Sequence, residues 1–176
     1  MKDFFFLIAL AVLAGTVVAV GIWAADTGTT TGTVTVINYA ISIATGETSF
    51  AYGTMPNNSA SSTMTLFTGT GITATNDGST ADFDIYGANT GSWTLNTATS
   101  TANNYTHKFC NETVNACLTS GVYGASFTAL TTSPAVLSAS VANAASIDFQ
   151  LSMHTPNPST VYTEQSAVVT VQASAP

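Results

Sequence analysis

The side chains able to do chemistry are few and widely scattered. The chain carries two histidines, His107 and His154, two cysteines, Cys110 and Cys117, and nine acidic residues against two lysines and no arginine. A serine hydrolase of the nucleophile-elbow type needs Gly-x-Ser-x-Gly, which holds the hydroxyl on a sharp strand-to-helix turn. That motif is absent, as are a glycine-rich phosphate loop and His-Glu-x-x-His. His107 lies between Thr106 and Lys108, and this polar setting predicts an exposed strand residue. Asp82 and Asp84 are two apart, so on a strand they share one face. A glycosidase needs two opposed carboxylates, which strand neighbours do not supply. With Asp77 they form the candidate oxygen-ligand set for calcium, a hard cation that such groups suit. No other metal or cofactor is expected, and the chain is not expected to be an enzyme.

Cys110 and Cys117 are separated by Asn-Glu-Thr-Val-Asn-Ala. In an exported protein this spacing predicts a disulfide closing a short loop. The alternative, a zinc or redox pair, lacks companion ligands nearby. Three Asn-x-Ser/Thr sequons, at Asn57, Asn104 and Asn111, are glycosylation candidates. Asn157-Pro158-Ser159 is excluded by its proline.

Composition restricts the partners. Charged residues make up 6% of the chain and the net charge is -7, while 45% of residues are hydrophobic. A disordered acidic tail would be poor in apolar residues. The outer faces of its strands must instead be solvated by neutral Thr, Ser and Asn. Nucleic acid is excluded as a partner, because phosphate binding needs clustered Lys and Arg and only Lys108 lies beyond the leader. An anionic membrane surface is excluded on the same ground. The leader is Met1-Lys2-Asp3 followed by an almost unbroken apolar run to Ala25. It reads as a signal peptide over 1–25, or as a retained anchor, since the run is about long enough to span a bilayer. Contact with a membrane is expected only through that leader if it is not cleaved. Either way, residues 26–176 are expected outside the cytoplasm, secreted or at the cell surface, as one domain with a flexible arm at 26–33.

Beyond the leader the signal is alternation with turn residues between short runs. Strands are expected at 33–44, 48–52, 63–67, 71–75, 80–86, 92–95, 105–109, 125–130, 135–137, 146–153 and 165–173. Asn76-Asp77-Gly78 between two alternating runs predicts a hairpin. Short strands of this kind with turns between them fit an all-β, two-sheet antiparallel β-sandwich, Ig-like or jelly-roll-like, following an N-terminal hydrophobic helix. Phe83, Trp93, Phe127 and Phe149 are expected in its core.

The junction Gly21-Ile22-Trp23-Ala24-Ala25-Asp26-Thr27 resembles, in shortened form, the Gly-x-Trp/Tyr-Ala-x-x-x-Asp-Thr junction of camelysin/TasA-type exported proteins. Those are β-sandwich subunits of matrix fibres and related archaeal bundling pili, which donate an N-terminal strand to a neighbour. The segments Ser49-Phe50-Ala51-Tyr52-Gly53-Thr54-Met55-Pro56, Ile72-Thr73-Ala74-Thr75-Asn76-Asp77-Gly78 and Tyr162-Thr163-Glu164-Gln165-Ser166 resemble the Ig-like sandwiches of prokaryotic surface proteins. The resemblance implies a donor strand within 26–36, with Thr33, Val34, Thr35 and Val36 as its candidates, and copies of the same chain as partners. The residues permit this on their own account, because an uncharged Gly/Thr arm ending in a strand can add to an open sheet edge. The expected function is a secreted structural subunit of a filament, pilus or matrix. The alternative is a cell-surface adhesive or carbohydrate-binding module using Tyr86, Tyr105 or Tyr123.

Overall fold

The computed structural model describes residues 28–67, 71–99, 101–113, 117 and 126–176. The leader expected at 1–25, with its hydrophobic helix, lies outside them. The chain divides into two compact units, Met1–Thr35 and Val36–Pro176. The described part of the first unit, 28–35, is exposed and forms no strand.

Among its described residues the second unit is all-β. In chain order its strands are β1 (Ile41–Ile43), β2 (Ala60–Ser62), β3 (Ile72–Asn76), β4 (Ala81–Gly87), β5 (Thr94–Leu95), β6 (Asn104–Asn111), β7 (Thr128–Ala129), β8 (Ala135–Val141), β9 (Ser146–His154) and β10 (Val169–Ser174). They form two sheets. The larger runs β1-β3-β9-β6-β5, with β2 also on β9 and β7 also on β6; the smaller runs β10-β4-β8. Every pairing is antiparallel except β5 with β6, which is parallel.

The core follows from period-two alternation. On β4, Ala81, Phe83 and Ile85 are buried while Asp82, Asp84 and Tyr86 are not. On β9, Ile147, Phe149, Leu151 and Met153 face inward. With Tyr105 and Phe109 of β6 and Leu137 and Val141 of β8 they make one hydrophobic cluster shared by the two sheets. Complete burial of one such side chain stabilises the fold by roughly 1.5–3 kcal/mol. Phe127 belongs to a second, smaller cluster with Cys110, Cys117 and Met64, and Trp93 is only partly buried.

Several expected elements are corrected. Of 33–44 only Ile41–Ile43 is a strand, and 48–52 forms none. At 63–67 the chain turns into a 3-10 segment, Thr63–Thr65. There the Thr63 hydroxyl donates to Gln150 Oε1 (2.6 Å) and accepts from the Leu151 amide (2.8 Å), so a buried side chain takes the place of a ladder. The pairing occurs earlier, where Ala60–Ser62 lies against β9. Asn76-Asp77-Gly78 does not close a hairpin, because β3 belongs to the large sheet and β4 to the small one. Asn76 holds this crossing. Its amide nitrogen donates to the carbonyls of Ser79 (2.9 Å) and Val141 (2.7 Å), and its Oδ1 accepts from the Gly78 amide (2.9 Å). Glycine is required at 78 because a Cβ there would lie 2.2 Å from the Asn38 carbonyl oxygen.

Phe149 is 2% exposed at the centre of the shared cluster. Phe149→Ala is expected to lower unfolding free energy by about 3–5 kcal/mol, read as a fall in urea midpoint. A change below about 1 kcal/mol would contradict this placement.

Candidate functional site

Two features could carry function: an uncommitted apolar stretch of chain on either side of Thr35, and a polar cluster inside the second unit. The first is the chain leading into β1. Its fixed end is clear, since the Ser79 amide donates to the Asn38 carbonyl and the Asp77 amide to the Ala40 carbonyl. Among the described residues before that point, 28–37, no ladder holds the chain. Val34 is 87% exposed, Val36 81% and Ile37 62%. Thr33, Val34, Thr35 and Val36 therefore lie outside any strand, with both valines in solvent. Scattered exposed aliphatics need no explanation. Three within four residues of an uncharged segment is a different situation.

The second feature centres on His107. The expectation of an exposed strand residue is wrong: His107 is 2% exposed. It shares the inward parity of Tyr105 and Phe109 on β6 and packs edge-on to Tyr52 (5.8 Å between centroids, 71°). Its Nε2 hydrogen-bonds the Tyr52 hydroxyl at 2.9 Å, while Nδ1 is buried without a partner. Burial pushes the imidazole pKa down to about 4, because the charged form would lose its hydration. Burial likewise raises the Tyr52 phenol, with a further push from Tyr105, and raises Tyr105 to about 12. The Tyr105 hydroxyl donates to the Ala88 carbonyl (2.5 Å). The cluster is thus a neutral polar knot in the core.

On the opposite face of β6 a surface hollow of about 320 Å³ is lined by Thr97, Thr99, Thr106, Lys108, His154 and Asn157. Burial and the nearby Lys108 charge both hold His154 below the usual imidazole value, against an opposing hydrogen bond with the Asn58 backbone.

The other residues singled out from sequence are dispersed. Cys110 and Cys117 form a disulfide with Cα atoms 5.8 Å apart, packed with Phe127 and Met64 on the outer side of β6. Asp82 accepts from the Ser140 amide and Asp84 from the Ser174 hydroxyl, while Asp77 is exposed in the crossing. Among the described residues no three of His, Cys, Asp and Glu gather as a metal site. Asn57 is exposed in a turn and Asn104 opens β6, half-buried. Asn111 donates from Nδ2 to the Leu137 carbonyl and accepts from the Thr113 amide. Tyr105 is fully buried and cannot form part of a binding face. Tyr86 is half-buried, and Tyr123 lies outside the described residues. The sequence offered one signal for the buried histidine, its shared parity with Tyr105 and Phe109.

Compared with known proteins, the chain matches no family model, no curated protein and no solved structure.

A His whose folded pKa lies below its unfolded value resists protonation only in the folded state. The unfolded chain takes up the proton first, so stability is lost as pH falls from about 6.5 toward about 4. The loss attributable to His107 is expected to be about 3 kcal/mol. Urea titrations of the native protein and of His107→Gln across this range should converge as pH falls. Parallel curves would remove His107 from the acid response.

Proposed function

We propose that this chain is an exported structural subunit that assembles with copies of itself into an extracellular filament, pilus or matrix, and that strand pairing between copies holds the assembly. The observation that carries this reading is the exposed, unpaired apolar segment at Val34, Val36 and Ile37. An extended segment with alternating apolar residues is fit to add to a sheet edge. There its backbone gains ladder hydrogen bonds and its alternate side chains gain cover. The leader supports export, and the Cys110–Cys117 disulfide suits an oxidising compartment. The two sheets with one shared core support an Ig-like or jelly-roll-like sandwich as the subunit body. The resemblance of the 21–27 junction to camelysin/TasA-type subunits points the same way.

Since Val34 and Val36 project into solvent in the subunit, aspartate at both positions should leave its unfolding midpoint unchanged. In an assembly, each valine that becomes buried contributes about 1.5 kcal/mol or more. Val34→Asp combined with Val36→Asp is therefore expected to raise the concentration needed for assembly at least about tenfold. Negative-stain electron microscopy of residues 26–176 across a concentration series reads this directly. Fibres formed equally well by the double variant would discard the strand-donation mechanism. A native chain that stays monodisperse would discard the structural-subunit reading.

A further inference from the structure

The strand-pairing reading leaves open where a donated segment lands, and the ladders of the small sheet answer this. The Ala88 amide donates to the Val168 carbonyl at 3.2 Å, and the register continues with Val169 opposite Gly87, Thr170 opposite Tyr86 and Val171 opposite Ile85. In an antiparallel pair, hydrogen-bonded and non-hydrogen-bonded positions alternate. Residues 168, 170, 172 and 174 therefore turn their backbone groups toward β4, while Val169, Val171 and Ala173 turn theirs away. The Gly87 amide agrees, since it donates to Thr131 (2.9 Å), on the side of β4 away from β10. Among the described residues no hydrogen bond engages the outward N–H and C=O groups of Val169, Val171 and Ala173.

The other edges are shorter or blocked. β1, β2, β5 and β7 have three, three, two and two residues. On β8 the ladder with β4 carries register shifts, Ser140 has a left-handed φ of 52°, and the Asn111 side chain occupies the Leu137 carbonyl. β10 has six residues in unbroken register. Edge strands ordinarily carry Lys, Pro or a bulge that deters pairing, yet 165–175 contains no charged residue and no proline. The segment 27–44 is likewise uncharged. The side chains of Val169, Val171 and Ala173 point to the core. An added strand would therefore set its own core-facing residues directly opposite them, and Val34 and Val36 have the required alternation.

We propose that the outer edge of β10 is the acceptor, and that its occupant is the Thr33-Val34-Thr35-Val36-Ile37 segment of a second copy of this chain. The proposal rests on assembly by strand pairing and assigns its site.

The test uses residues 26–176 with p-benzoylphenylalanine in place of Val34, prepared as an equal mixture of ¹⁵N-labelled and unlabelled chains and assembled before irradiation. Cross-linked peptides of mixed isotope label that join the 33–37 segment to 169–174 are expected. Val171→Pro provides a second arm. It removes an outward N–H at an edge, where proline is tolerated, and it should raise the assembly concentration about tenfold or more. Circular dichroism checks that the variant folds, and Ala173→Pro replaces it if it does not. Mixed-label cross-links to another strand would overturn the β10 assignment while strand pairing itself survived. Cross-links within a single chain would overturn it in favour of an arm closing on its own domain. A native chain that never assembles would remove both the assignment and the reading beneath it.

Discussion

β9 is held by three neighbouring strands and, over much of its length, on both faces. It pairs with β3 along Ser146–Phe149, with β6 along Phe149–His154 and with β2 along Ser152–His154. Its odd-numbered residues must fill the space between the sheets, and its even-numbered residues must satisfy what lies outside. Over 149–153 both faces are buried. Gln150 and Ser152 are therefore polar residues without water, and Gln150 is satisfied by the Thr63 hydroxyl. A slip of one residue would place Gln150 and Ser152 in the apolar core and expel Phe149 and Leu151. The register of the large sheet, and through it the positions of β2, β3 and β6, depends on that slip being costly.

Alternation alone was enough to read β4 and β9, because each buries a complete set of large apolar residues on one face. Three features escaped the same reasoning for different causes. Asn76-Asp77-Gly78 has hairpin chemistry, but the sheets to which β3 and β4 belong are settled by non-local pairing that turn residues do not encode. Thr63 is a β-former whose hydroxyl takes the place of a ladder contact, so propensity predicted a strand where a turn is more stable. His107 carries a polar label at an apolar position. Its burial follows from parity with Tyr105 and Phe109, and its tolerance there depends on Tyr52, which is distant in sequence. The arm shows the reverse case: the alternation at Thr33, Val34, Thr35 and Val36 was legible, but a period-two pattern says nothing about which chain completes it.

Neutral side chains fix several joints of the domain. Asn76 fastens the crossing between sheets, Thr155 ties the Ser59 turn, and Gln165 gathers Thr90 and Ser92. Such bonds are directional and short-ranged, so they fix geometry without adding to the net charge of -7 that the carboxylates give the chain. Along 165–175, which carries no charged residue, the choice of an added strand falls on shape and backbone.

Asn111 brings the order of events in the life of the chain into view. Its amide nitrogen bridges from the end of β6 to the Leu137 carbonyl of β8, while Asn57 stands in an open turn. A transferase that meets the nascent chain encounters the two sequons as equals. One that arrives after the sheets have closed finds Asn57 presented and Asn111 already committed to a carbonyl. Were sugars added at these sequons, their pattern would record whether the modifying enzyme or the folding domain was the faster.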